Sequence, residues 1–209
     1  MKNNTALLFD LDGVIIDTEP QYDIFWKKTS EDYQLGIKNF ERVIKGTTLP
    51  NILAKYFSHL SEKDRQDIID SVYVFESQMD MTPVPGALEF LAELKKSGTK
   101  TGLVTSSDDV KLAAVFRKLP ILKEYFNTIV SANRITQGKP HPMCYLLAAE
   151  DLNVNPQDCT VFEDSFTGIA AGNAAGMKVI GLSTTNPAES IQDKVIKVIP
   201  NFKELKIKS

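Results

Sequence analysis

The sequence predicts an α/β fold, a Rossmann-like parallel sheet with helices on both faces and an inserted all-helical cap. Three observations predict it. From about residue 84 onward, short apolar runs alternate with helix-period stretches, the pattern of a parallel sheet covered by helices. Between residue 18 and about residue 81 the strand-like runs disappear and only helical periodicity is left. Thr82-Pro83-Val84-Pro85-Gly86 divides the two regimes, with two prolines to stiffen the chain and Gly86 to release the next helix. Residues 1–17 and 84–209 are therefore expected to form one α/β core, and residues 18–83 a helical cap.

The first strand is the apolar run Leu7-Leu8-Phe9. Asp10 marks its end, since a central strand cannot hide a carboxylate, and Gly13 then permits a tight turn. Thr18-Glu19-Pro20 reads as a helix start, with Thr18 a candidate cap and Pro20 in the first turn. Tyr22, Phe25, Trp26, Thr29 and Tyr33 fit one face of that helix. Ile52, Leu53, Tyr56 and Phe57 repeat the period after Pro50. Ser61-Glu62-Lys63-Asp64 opens a further helix carrying Ile68, Ile69, Val72, Val74 and Phe75. In the core, Leu88, Leu91 and Leu94 line a helix that ends before Gly98. Strands are expected at 101–105, 128–131, 159–162, 178–182 and 195–199, with helices at 109–118 and 143–150. One more helix, rich in Ala and Gly, is capped by Ser165 and stops at Gly176. A segment inserted directly after the first strand must lie over the carboxyl ends of the strands, where it is placed to act as a lid.

Composition narrows the function. The 209 residues are 43% hydrophobic and 24% charged, ordinary for a globular protein. A net charge of -3, with both signs mixed along the chain, argues against a nucleic-acid partner, because neutralising phosphates takes clustered Lys and Arg. The mildly basic run over 194–208 reads as a solvated edge. Cys144 and Cys159 lack metal-ligand spacing and sit in apolar contexts, which suits buried thiols in a reducing cytoplasm. The N-terminal apolar run is too short for a signal peptide and is broken by Asp10, and no stretch reaches the length of a membrane span. A cytoplasmic protein with no membrane partner is expected.

The strand ends carry the chemistry. Asp10 and Asp12 are two apart where open α/β sheets bind ligands, and strand periodicity sends both side chains to one side. Acids here also simply end strands or cap helices, and Asp-Gly is a common turn. Thr105-Ser106-Ser107 follows the apolar Leu103-Val104. Hydroxyls and free N–H groups ahead of a helix make an anion site, and they serve an ST-turn or a cap as well. In Gly138-Lys139-Pro140 a constrained turn can aim the lysine amine, although a lone lysine belongs on the surface. Val161-Phe162 ends at Glu163-Asp164, and two acidic strand ends side by side repel without a cation. Together these residues suit phosphoryl transfer, with a carboxylate nucleophile that needs no base and with Mg²⁺ and Lys139 screening the repulsion between anions.

Asp10-x-Asp12-Gly13-Val14, Thr105-Ser106, Lys139-Pro140 and Glu163-Asp164, in this order, resemble the four motifs of the haloacid dehalogenase-like hydrolases. The runs Asp17-Thr18-Glu19, Gly168-Ile169-x-Ala171 and Ala175-Gly176-Met177 resemble the β-phosphoglucomutase-like branch, which carries a helical cap after the first motif. The resemblance covers nearly the whole chain. It implies Asp10 as the nucleophile that becomes an aspartyl phosphate and Asp12 as general acid and base. It implies Thr105, Ser106 and Lys139 as the phosphate-binding residues. Mg²⁺ would be held by Asp10, the backbone carbonyl of Asp12 and Asp164, with Glu163 close by. It also implies a small phosphorylated metabolite as partner and a monomeric enzyme.

The chain departs from the mutase pattern in the residues that set specificity. Tyr22 stands where mutases carry a histidine on the first cap helix. The cap loop Lys45-Gly46-Thr47-Thr48-Leu49 is similar to theirs, but the arginine that grips the non-transferring phosphate falls at Leu49. Asp108 and Asp109 replace a basic residue and an amide. Met143 replaces the branch's usual acid at the start of a helix. The expected activity is a Mg²⁺-dependent phosphatase of a sugar or polyol phosphate. A hexose-phosphate mutase is the alternative, and a catalytically silent binder of Mg²⁺ or phosphate is a third reading. Genuine dehalogenation is disfavoured, because Asp12 and the second metal acid have no task in displacing halide from carbon.

Overall fold

The alternating apolar runs become six parallel strands, β1 (Ala6–Phe9), β2 (Lys100–Val104), β3 (Thr128–Val130), β4 (Cys159–Glu163), β5 (Lys178–Leu182) and β6 (Lys197–Ile199). They form one sheet in the order β3-β2-β1-β4-β5-β6, the order of a Rossmann sheet. The structure, a computed structural model, describes residues 5–205. The first four residues and the end of the basic run, 206–209, lie outside the described residues.

The helices are α1 (Glu19–Asp32), α2 (Phe40–Val43), α3 (Leu49–Tyr56) and α4 (Glu62–Gln78), then α5 (Ala87–Ser97), α6 (Asp109–Lys118), α7 (Pro120–Lys123), α8 (Met143–Asp151), α9 (Phe166–Ala174) and α10 (Ala188–Ile191). Side chains alternate across each strand. Phe9, Leu103, Phe162 and Leu182 face one layer with Leu91 of α5 and Leu112 of α6. Leu8, Val104, Val161 and Val179 face the other, with Ala148 of α8 and Ile169 of α9. Burial on both faces explains why these strands read as unbroken apolar runs. No helix among the described residues is long and apolar enough to cross a membrane.

Helices α1 to α4 share a third cluster, built on Trp26, Phe40, Ile44, Ile52, Leu53, Phe57, Ile68 and Val72. The chain leaves the core after Ile16 and returns at Pro83, and the two crossings are tied together. Asp17 N–H donates to Thr82 O at 2.8 Å, and Val84 N–H donates to Ile15 O at 2.9 Å.

The centre of the sheet is the switch point. The chain winds outward from β1 through β2 to β3, and then returns to β4 on the other side of β1, so a crevice opens at the carboxyl ends of β1 and β4. The register pairs Phe9 with Phe162, and Asp10 N–H donates to Phe162 O at 3.0 Å.

Some local expectations change. Thr18 precedes α1 but makes no capping bond; its hydroxyl turns to Asp12 instead. Val74 is 58% exposed, because its position on α4 faces away from the stripe of Ile68 and Val72. The last strand begins at Lys197, two residues later than expected. The short helices α2, α7 and α10 are four residues each, too short for a periodic signal. Gly98 and Gly176 do stop α5 and α9, each at positive φ.

Candidate active site

Asp10 is the first residue beyond β1 and is buried at the switch point. Lys139 Nζ lies 2.8 Å from Asp10 Oδ1, 2.5 Å from Glu163 Oε1 and 3.4 Å from the carbonyl of Val104. The lysine is thus aimed and buried rather than on the surface. Glu163 is fully committed. Oε1 also accepts from the Tyr145 hydroxyl at 2.8 Å, while Oε2 accepts from the N–H groups of Asp164 and Ser165 and from Ser165 Oγ at 3.0 to 3.2 Å. A Cβ on Gly168 would run into the Glu163 carboxylate, so α9 approaches that closely only with glycine there.

Asp164, the first residue beyond β4, is held by the loop after β5. Its carboxylate accepts from Thr185 Oγ1, and its carbonyl accepts from Asn186 Nδ2 at 2.8 Å. Gly13 has φ of 73°, and a Cβ on it would meet the Asp164 carboxylate. Glycine therefore serves both the turn and the close approach of the loop after β1.

Asp10, Glu163 and Asp164 are all buried, and each can present one carboxylate oxygen within 4.8 Å of the others. Burial pushes the Asp10 carboxyl up to about 7; Lys139 pulls it back and Glu163 pushes it further. Asp164 is raised well above the usual carboxylate range by burial, then by Glu19, Glu163 and Asp10. Burial opposes the Lys139 charge, but Asp10 and Glu163 outweigh it and hold the ammonium above its ordinary value. Hard oxygen donors crowded together with one lysine fit a small divalent cation.

Asp12 lies at the edge of the same pocket. Its Oδ2 accepts from Lys111 Nζ at 2.6 Å and from Ser107 Oγ at 3.1 Å, and its Oδ1 accepts from Thr18 Oγ1. Thr105 Oγ1 accepts from Ser107 N–H at 3.0 Å, so the ST-turn forms at the strand end that also faces the cavity. Ser106 Oγ donates to the carbonyl of Gly46 at 3.0 Å, and Thr167 Oγ1 donates to that of Lys45 at 3.1 Å. The cap loop therefore rests on the core.

Between them is a cavity of about 480 Å³. Asp10, Asp12, Thr105, Ser106 and Asp164 face it from the core. Tyr22, Lys45, Gly46, Thr47 and Leu49 face it from the cap, and Asp108 stands at the start of α6. Lys139 and Glu163 are not part of its wall and reach it through Asp10. Lys45 is already paired with Glu19 at 2.6 Å and Asp23 at 2.9 Å. The Tyr22 hydroxyl donates to Glu76 at 2.5 Å. Asp108 caps α6 through Oδ1 and accepts from the Tyr73 hydroxyl at 2.8 Å through Oδ2, and burial, with that bond second, raises Tyr73 to about 12. Among the residues expected to set specificity, Asp109 is the exception. It is exposed, and its carboxylate accepts from Ser131 Oγ at 2.6 Å, away from the cavity.

Several residues at the site escaped the sequence reading. Lys111 has one signal in the sequence, its place beside the apolar stripe of Leu112 and Val115, one turn after Asp108. Thr18 carries only a capping signal, Ser107 only that of the hydroxyl run it ends, and Tyr145 none that ties it to Glu163. Thr185 and Asn186, on the loop after β5, carry no pattern that links them to Asp164.

Comparisons with known proteins agree with this geometry. A family model described as haloacid dehalogenase-like hydrolase matches residues 7–182. The chain is 32% identical over 203 residues to β-phosphoglucomutase of Bacillus subtilis (strain 168), covering 87% of this chain and 84% of that protein. It is 31% identical over 188 residues to hexitol phosphatase A of Escherichia coli (strain K12), covering 88% and 85%. Among solved structures, β-phosphoglucomutase from Clostridium difficile superposes with a TM-score of 0.78 at 27% identity, over 97% of this chain and 93% of that one.

Proposed function

This chain belongs to the haloacid dehalogenase-like hydrolase family, in its β-phosphoglucomutase-like branch, and from that premise we propose that it is a Mg²⁺-dependent phosphatase of a sugar or polyol monophosphate. The observation that carries the reading is the buried Asp10–Lys139 contact at a point where three carboxylates converge. The likeness to hexitol phosphatase A supports a polyol or sugar phosphate.

An Asp10 carboxylate oxygen attacks phosphorus, and the ester oxygen leaves with a proton from Asp12. Asp12 then takes a proton from water as the water oxygen attacks phosphorus and the Asp10–phosphorus bond breaks. Lys139 neutralises Asp10 throughout, and Glu163 fixes the lysine. Thr105 and Ser106 border the place for the phosphoryl oxygens. Asp10, the Asp12 backbone carbonyl and Asp164 would hold Mg²⁺, which supplies charge to screen the ester from the attacking carboxylate. Residues 18–83 act as the cap that excludes water from this step. The two buried free thiols suit a reducing cytoplasm, and we assign a monomer.

Likeness to β-phosphoglucomutase favours a mutase as the second reading. The cavity lining opposes it. Leu49 offers no hydrogen bond, Asp108 is an acid, and both cavity lysines, Lys45 and Lys111, are already paired. Holding a second phosphate there means breaking one of those pairs.

Phosphate release from a panel of sugar and polyol monophosphates, with and without Mg²⁺, tests the reading. Release that needs Mg²⁺ is expected. No release from any phosphomonoester with Mg²⁺ present would leave the silent-binder reading in its place.

A further inference from the structure

We propose that Lys111 is a positioning residue that holds the Asp12 carboxylate in line with the phosphorus. This rests on the phosphatase reading, in which Asp12 moves the protons. Lys111 lies in the first turn of α6 and is 3% exposed. A lysine so buried keeps its charge only with a partner. Among the described residues the carboxylate within ion-pairing distance is that of Asp12, 2.6 Å away.

The pair is braced from the cap. Lys111 Nζ sits 4.6 Å from the centroid of the Tyr22 ring, a cation–π contact, and the Tyr22 hydroxyl donates to Glu76. Tyr22 belongs to α1 and Glu76 to α4, so two cap helices set the surface against which the lysine rests. The other donors to Asp12, Thr18 Oγ1 and Ser107 Oγ, are neutral hydroxyls. Lys111 is the charged member of the three. A group that must meet first a leaving oxygen and then an attacking water at the same phosphorus has little freedom to wander, and small misplacements cost about 10²-fold in rate.

Hydrolysis of p-nitrophenyl phosphate separates this role from a structural one. Nitrophenolate leaves without a proton, so formation of the aspartyl phosphate is insensitive to Asp12, while its hydrolysis needs Asp12 to accept a proton from water. Lys111→Met keeps the aliphatic stem and removes the charge. It is expected to lower kcat by about 10²-fold and KM with it, leaving kcat/KM near the wild-type value. A nitrophenol burst approaching roughly one per site should appear as aspartyl phosphate accumulates. Lys111→Arg should restore part of kcat and shrink the burst. Where Lys111→Met fails to fold, Lys111→Gln, which keeps an N–H donor but not the charge, should show the same pattern in weaker form. Unchanged kcat in a folded variant, or a fall in kcat/KM with no burst, overturns the proposal. A wild-type protein that hydrolyses no phosphomonoester overturns the phosphatase reading itself, and the proposal with it.

Discussion

Phe9 lies flat against Phe162, with 4.7 Å between ring centroids and 3° between the planes. Phe90 and Phe202 close around the pair. Aromatic contacts of this kind add about 0.5–1.5 kcal/mol each beyond the area they bury. Here they lock the register of β1 and β4, and the register decides that Asp10 and Glu163 leave the sheet side by side. The chemistry at the rim is set by packing one residue below it.

Asp10→Asn is close to isosteric but cannot attack as an anion. Phosphate release should fall below detection in a protein whose circular dichroism and melting match the wild type. Substantial turnover by a folded Asp10→Asn protein would remove Asp10 from its role.

Asp12→Asn keeps a side chain that can accept from Thr18 and Ser107 but cannot carry a proton between ester and water. Turnover of a sugar phosphate should fall by about 10²–10⁴-fold. Mg²⁺ affinity, read by calorimetry, should change little, because the proposed Asp12 ligand is its backbone carbonyl. Loss of Mg²⁺ affinity with normal turnover at saturating metal would reverse the assignment.

Gly168→Ala places a methyl group against the Glu163 carboxylate. Overpacking of this kind costs about 1–3 kcal/mol, which chemical denaturation will read. Because Glu163 holds Lys139, the variant should also lose kcat beyond what its lower stability explains. Wild-type stability and rate together would show that Glu163 has room to move.

Acidification should weaken metal binding. With the Asp10 carboxyl raised to about 7, chiefly by burial, the metal-free protein takes up a proton there as pH falls through that value. In the proposed metal site ionised Asp10 is the ligand, so Mg²⁺ affinity should drop by roughly tenfold per pH unit below it for one displaced proton. The sign for stability is the opposite. Folded Asp10 holds its proton at higher pH than the unfolded chain does, so its contribution to the metal-free protein rises as pH falls from about 7 toward the unfolded carboxyl value of 3.8. Melting with and without Mg²⁺ between these limits checks both: the Mg²⁺-induced rise in Tm should grow with pH.

Much of this was legible in the sequence, because strand ends write their chemistry next to apolar runs. Asp10, Thr105 and Asp164 follow such runs, and the sheet order brings them together. The insertion was legible as a change of period after Thr18. What could not be read was which side chains meet across elements. Lys111 and Asp12 are 99 residues apart, and Thr185 and Asp164 meet only because β5 lies beside β4. Asp109 shows the reverse error: a residue one step from Asp108 at a helix start points to Ser131, since neighbours on a helix do not share a face.

The central claim is that water, not a sugar hydroxyl, takes the phosphoryl group from Asp10. Leu49, which offers no hydrogen bond, the acid Asp108 and the already paired Lys45 and Lys111 line the cavity and disfavour a second phosphate. Like charges about 4 Å apart near a surface cost about 4 kcal/mol, roughly a thousandfold in binding. The protein is incubated with β-glucose 1-phosphate, Mg²⁺ and catalytic glucose 1,6-bisphosphate, and inorganic phosphate and glucose 6-phosphate are measured together. Free phosphate with little glucose 6-phosphate is expected, and rapid conversion to glucose 6-phosphate without phosphate release would contradict it.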